Sequence, residues 1–223
     1  MPNWVYNQVH VHADTKEQLD RFIRKTTKPH PEVKTLPKFG GDNLVVVLED
    51  SPEEFSFWNI MRPKKKLWKE YFSVSNSDKP DNNWYKWNNK NWGCKWDANN
   101  AEIERDEDTY AVVRFETPWG VPLGILESIG IKFPELAFSW AWEEEQGFGG
   151  AFEIKGSDVE TTDEYDIPES HADFEERGRT CNCDWLDEED WYDDCPREDG
   201  SHEPLIKLDP ETVLSTTTEQ EKK

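Results

Sequence analysis

No stretch of the 223-residue chain approaches the ~20 consecutive apolar residues that a membrane-spanning helix needs. The opening Met1-Pro2-Asn3-Trp4 has neither a basic start nor an apolar run. No secretory leader is therefore expected, and the chain is expected in the cytoplasm of a host cell. Cysteine is scarce, with four residues. In a reducing compartment these are expected as free thiols or metal ligands, not as disulfides. There is no glycine-rich phosphate loop: Gly147, Gly149 and Gly150 fall inside a hairpin, where they suit a bulge or a close backbone approach. No Ser-His-Asp order stands out from chance, and no internal repeat is present. Basic charge is also short, at 26 Lys and Arg against 48 Asp and Glu, for a net charge of -22.

Aromatic side chains are abundant: 12 Trp, 11 Phe and 6 Tyr in a chain only 35% hydrophobic. Such rings bury much area per residue, so a dense core in one part of the chain is expected beside a solvated segment elsewhere. Charge divides the chain the same way. Residues 1–157 hold 25 acidic and 20 basic residues, a net of -5, whereas residues 158–223 hold 23 and 6, a net of -17. The expected organisation is a folded domain over 1–157 and an acidic, partly disordered tail over 158–223. A field of that sign attracts basic partners and disfavours direct contact of the tail with DNA or RNA.

Residues Trp4 to His12 alternate, with Val5, Asn7, Val9 and Val11 on one face, and predict a strand. Thr15 and Gln18 form a capping box, and Leu19, Phe22 and Ile23 carry an amphipathic helix to about Lys25. Two apolar runs follow, Leu44–Leu48 and Phe55–Ile60. The second is taken as the core strand and the first as a strand or helix leading into it. A helix is expected over Asp81–Gly93, capped by Asp81 or Asn82 and closed by Gly93. A strand at Thr109–Thr117 is followed by Pro122 in a first helical turn and a helix through Ile125, Leu126, Ile129 and Phe133. Leu136–Glu143 alternates as a strand, and Phe148–Ile154 returns as its hairpin partner. The order strand, helix, strand, repeated, predicts an α+β, ferredoxin-like split βαβ antiparallel sheet with helices on one face. No element is expected beyond Asp158 except a turn near Trp185 to Tyr192.

Three stretches carry a family resemblance: Met1–Asn7, the tryptophan run Trp84–Trp87 with Asn91–Ala98, and the strand-to-helix turn Phe115–Pro122. Together they resemble the YubB-type ferredoxin-like domains of plasmids and phages, over about residues 1–157. The resemblance implies a ferredoxin-like fold and a mobile-element origin, and leaves the activity open.

The tryptophan run reads either as a stacking platform for bases or as core packing, with Asn88, Asn91 and Asp97 as partners for indole N–H groups and for orphan backbone donors nearby. Arg62-Pro63-Lys64-Lys65-Lys66 with Lys69 reads as a phosphate contact or a solvated loop. His10 and His12 read as edge or surface residues, and Glu143, Glu144 and Glu145 as a solvated turn. In the tail, Cys181, Cys183, Cys195 and His202, with His171 nearby, form either a zinc site or a group of unligated thiols. No cofactor is expected, with zinc on these residues as the alternative. The expected contact surface for a host protein partner, one that itself binds nucleic acid, is Trp185, Asp187, Glu188, Glu189, Asp190, Trp191, Tyr192, Asp193 and Asp194. The leading expectation is thus a non-enzymatic interaction protein, a DNA mimic or inhibitor of a host defence protein. The alternatives are a nucleic-acid module using sheet aromatics and a zinc-binding structural protein.

Overall fold

The computed structural model describes residues 2–36, 44–48, 51–73 and 83–176. Two units are distinct, Met1–Asp166 and Ile167–Lys223. In the first, strand β1 (Trp4–His12) leads into helix α1 (Lys16–Thr26). A hairpin of β2 (Glu32–Leu36) and β3 (Leu44–Leu48) follows, then the short helices α2 (Phe57–Ile60) and α3 (Trp68–Tyr71), the latter after a 3-10 turn at Lys65–Leu67. Helix α4 (Trp84–Asn91) precedes β4 (Asn99–Arg105), β5 (Tyr110–Pro118) and helix α5 (Leu123–Lys132). Strands β6 (Ala137–Glu144), β7 (Gly149–Lys155) and β8 (Asp158–Tyr165) complete the unit. The described part of the second unit contains α6 (His171–Glu176).

Six strands form one antiparallel sheet in the order β4-β5-β1-β6-β7-β8, and β2-β3 form a separate pair. β5 lies between β1 and β4, and β1 lies between β5 and β6, so each strand–helix–strand unit is split by a strand of the other. This is the expected split βαβ plan, extended at one edge by β7 and β8. Val9 and Val11 of β1, Val113 and Phe115 of β5, and Phe138 and Trp140 of β6 pack in one core with Leu19 and Phe22 of α1 and Ile125 and Ile129 of α5. Asn7 sits in the same stripe and is buried. Its amide donates to Val5 O at 2.9 Å and Thr117 Oγ1 at 3.0 Å, and its oxygen accepts the Trp140 indole N–H at 3.1 Å. The polar group is therefore fully used, as burial requires.

Several expectations are corrected. Phe55–Ile60 is not a strand: Phe57–Ile60 is the helical turn α2. A short apolar run has no readable period; here Ser56 is the N-cap, its hydroxyl accepting the Trp58 N–H at 3.1 Å, and the Asp97 carboxylate accepts the Phe57 N–H at 2.6 Å from elsewhere in the chain. Leu44–Leu48 is a strand, but outside the main sheet. The second strand of the split pattern is β4, where exposure alternates with partial burial. Helix α4 is capped by Asn83, whose side chain accepts the Lys86 N–H, and not by Asp81 or Asn82. Pro122 is the N-cap of α5, one residue before its first turn. The sheet also continues past Asp158 through β8, a strand exposed at every position but the last, which left no alternation to read.

Candidate functional site

The tryptophan run forms core. Trp84, Trp87 and Trp92 are buried with Tyr71, and Trp140 is fully buried in the sheet. Trp87 meets Tyr71 and Trp92 edge-on, with centroids 5.7 and 5.8 Å apart. The Trp92 indole N–H donates to Met61 O at 2.8 Å. Asp97 takes up orphan backbone N–H groups as expected, whereas Asn88 and Asn91 are used differently among the described residues. Asn88 accepts the Tyr71 hydroxyl and donates to Lys95 O, Asn91 donates to Trp87 O, and Asp97 caps α2. Cys94 is buried, its thiol donating to Trp96 O at 3.3 Å. Desolvation first, then the Asp97 charge, push that thiol far above its ordinary range, so it stays protonated and unreactive.

A Ser-His-Asp cluster that the sequence did not single out lies beneath α2. His30 is buried, with Nδ1 2.8 Å from Ser51 Oγ and Nε2 3.1 Å from Ser56 Oγ; the Ser56 hydroxyl donates to Asp97 Oδ2 at 2.7 Å. Each member also ties down backbone. Ser51 Oγ accepts the His30 N–H, Ser56 Oγ accepts the Trp58 N–H, and Asp97 accepts the N–H groups of Phe57 and Ala98. The cluster is a latch between two loops and a helix N-terminus, and its polar groups are spent on that task.

The sheet face opposite the core has a different character. Residues opposite one another in an antiparallel pair share a face. From Tyr6, Gln8, His10 and His12 of β1, the register therefore collects Glu102 and Glu104 of β4, Glu116 of β5, Glu143 of β6, Glu153 of β7, and Asp158, Glu160 and Asp163 of β8. Those eight carboxylates face two permanent cations, Arg114 and Lys155, from the same register. Arg114 pairs with Glu104 at 2.7 Å. Glu144, expected in a solvated turn, is instead buried, and its carboxylate accepts the Gln146 N–H at 2.6 Å.

At the centre of this face, His10 Nδ1 lies 2.5 Å from the Tyr110 hydroxyl, and Nε2 lies 2.8 Å from the Gln8 amide nitrogen. Gln8 Oε1 accepts from Arg114 at 3.4 Å, which turns the Gln8 NH2 toward the ring. Nε2 is therefore an acceptor, and the proton sits on Nδ1. Burial first, then His12 and Arg114, lower the His10 pKa, with Glu153 opposing. His10 and His12 thus lie on a central strand, not an edge.

A cleft of about 740 Å³ opens beside β4, lined by Trp4, Trp96, Glu32, Glu54, Asp97, Asn99, Asn100 and Glu102 among others. Among the described residues of its lining there is no lysine or arginine. Trp4, Trp96 and Trp119 form a ridge with successive centroids 5.9 and 5.7 Å apart, and Lys95 Nζ lies 4.4 Å from the Trp96 centroid. Trp119 is 57% exposed and has φ +64.

Cys181, Cys183, Cys195 and His202, and the contact residues Trp185, Asp187, Glu188, Glu189, Asp190, Trp191, Tyr192, Asp193 and Asp194, lie outside the described residues. Among the described residues, no group of three or more His, Cys, Asp and Glu side chains is placed to hold a metal ion. No helix there is long and apolar enough to cross a membrane. The basic knot is placed in part as the 3-10 turn, with Lys65 Nζ 5.9 Å from the Trp68 ring centroid.

Residues 91–184 match a family model described as "Ferredoxin-like domain in Api92-like protein". The crystal structure of a protein api92 from Yersinia pseudotuberculosis superposes with a TM-score of 0.53 at 9% identity, covering 75% of this chain and 99% of that one. The fold is ferredoxin-like. Comparison with curated proteins gives no match. At 9% identity the Yersinia structure speaks for the fold alone.

Proposed function

We propose that this chain is a non-enzymatic interaction protein that presents carboxylates to a basic partner. The observation that carries the reading is the sheet face opposite the core, where the strand register gathers eight carboxylates against two permanent cations among the described residues. A face of that sign draws lysine- and arginine-rich surfaces and repels phosphates. The aromatics that would have stacked bases, Trp84, Trp87 and Trp140, are buried, which further disfavours direct nucleic-acid binding. The acidic segment 158–223 continues the field in sequence, with Trp185, Trp191 and Tyr192 as anchors.

In its sharper form the partner is a host protein with a nucleic-acid site, such as a defence protein, and the chain acts as a DNA mimic. Carboxylates would then stand in for phosphates, and the bound complex would respond to salt as protein–DNA contacts do. A plasmid or phage origin rests on the tryptophan-motif resemblance. The test is capture from host lysate on the immobilised full chain, beside a variant carrying Glu104→Lys, Glu153→Lys and Glu160→Lys. The reading expects a basic, nucleic-acid-binding protein that salt and duplex DNA release and that the variant fails to retain. Retention that ignores salt, or a bound set without nucleic-acid sites, overturns the mimic.

A further inference from the structure

The geometry points to the helical side of the sheet as a contact surface for the phosphate backbone of double-stranded DNA. This is the side away from the acidic face, and the inference goes beyond the reading of that face. The helices pack on the core face of the sheet. Their segments 16–26, 57–71, 84–91 and 123–132 hold 12 basic residues and four acidic ones, in a chain with 48 acids against 26 bases.

The cations converge where three helices end. Lys132 Nζ donates to Asn59 O at 2.6 Å and to Ile60 O at 2.9 Å, and the Asn59 amide donates to Thr26 O at 3.1 Å and Lys28 O at 2.7 Å. The last residues of α1, α2 and α5 are thereby tied together, and the basic knot follows at Arg62. Burial first, then the Arg62 and Lys25 charges, lower the Lys132 pKa, so these three cations stand near enough to repel one another. Lys25, Lys28, Arg62, Lys64 and Lys66 are exposed. None of the five has an ion pair among the described residues, whereas Lys16, Arg21, Arg105 and Arg114 each have one. Helix dipoles explain only part of the cluster. They favour Lys25 and Lys132, which lie in the last turns of α1 and α5, but not Lys64 to Lys66, which precede α3.

The side chains narrow the occupant. Four of the five are lysines, whose ammonium groups act on phosphate as point charges, whereas carboxylate recognition favours the arginine fork. The rings of α2 and α3, Trp58 and Tyr71, are buried and cannot stack on splayed bases. Contact is therefore to the backbone and independent of sequence. A duplex suits such a surface, because its bases are already stacked and it carries one charge per ~1.7 Å of axis. At about 0.15 M salt the screening length is about 8 Å, so a ligand touching the helices responds to these cations more than to the carboxylates across the core.

Fluorescence anisotropy of a labelled duplex DNA of about 20 base pairs, titrated with the full chain at several salt concentrations, tests this. The proposal expects saturable binding that weakens as salt rises. Lys25→Gln, Arg62→Gln and Lys64→Gln together should weaken it about tenfold or more and reduce the slope of log affinity against log salt by about 3. Arg105→Gln, Arg114→Gln and Lys155→Gln remove the same charge at other sites and should leave the affinity within about twofold. Retained near-ultraviolet circular dichroism shows that both variants are folded. Absence of binding at low salt, equal loss in the two variants, or equal affinity for polyglutamate of the same charge overturns the site. Lysate capture tests the acidic face separately: loss of duplex binding leaves that reading standing, and failure of capture leaves this site standing.

Discussion

Trp119 holds a left-handed backbone conformation, φ +64, that bulky side chains avoid, and its N–H donates to Asn3 O at 2.8 Å. For an L-residue other than glycine that conformation costs about 1–2 kcal/mol. Replacing Trp119 by glycine and by alanine removes the same ring contact with Trp96. The two variants then differ mainly in backbone strain, so Trp119→Gly should be more stable than Trp119→Ala by about 1 kcal/mol in urea unfolding, against the usual order. His10 gives a second residue-scale expectation. Its pKa is lowered in the folded chain, so the unfolded chain binds the proton more readily. The stabilising contribution is whole above the ordinary histidine value of 6.5 and is lost as pH falls through it. The urea midpoint should fall between pH 7.5 and 5.5, and His10→Gln should fall less over the same interval. Equal slopes would remove His10 as the source.

Edge strands were the elements hardest to read from sequence, and the reason is physical. β1, α1, β5, α5 and β6 each bury one face, so their apolar residues recur with the period of the element. β8 borders solvent and is exposed along nearly its whole length, so it leaves no period, while in β4 only Ala101 and Ile103 mark the inner face, too short an alternation to stand out. α2 is a single turn in a short apolar run without a readable period, and its N-cap, Ser56, is completed by Asp97, which stands 40 residues from Phe57. The acidic face is illegible for a related reason: Glu102 and Glu104 lie far along the chain from Glu153 and Glu160, and only strand pairing gathers them. β8 also guards the sheet. Its exposed Asp158, Glu160, Asp163 and Glu164 blunt an edge that would otherwise recruit another chain. Trimming the chain after Asp166 should preserve the oligomeric state of the full chain in light scattering. Trimming it after Ser157, the division suggested by charge alone, bares β7 with Phe152 and Ile154 and should cause self-association. Identical behaviour of the two truncations would deny β8 this role.

Charge governs the molecule as a whole. A net charge of -22 works against compaction through self-repulsion. Added sodium chloride should therefore raise the urea midpoint, most steeply up to about 0.15 M, where the screening length has shortened to about 8 Å. A midpoint that is flat or falling with salt would mean that ion pairs such as Lys16–Asp108 outweigh the repulsion.

Topology sets a timetable for synthesis. β1 occupies the middle of the sheet, yet Trp4 pairs with Pro118 and Val5 with both Thr117 and Glu144. Neither partner strand has been made when β1 leaves the ribosome. At roughly 5–20 residues per second, β1 waits on the order of 5–20 seconds for β5, its valine face still open to water. The first strand made thus gains its neighbours only when β5 and β6 have emerged on either side of it.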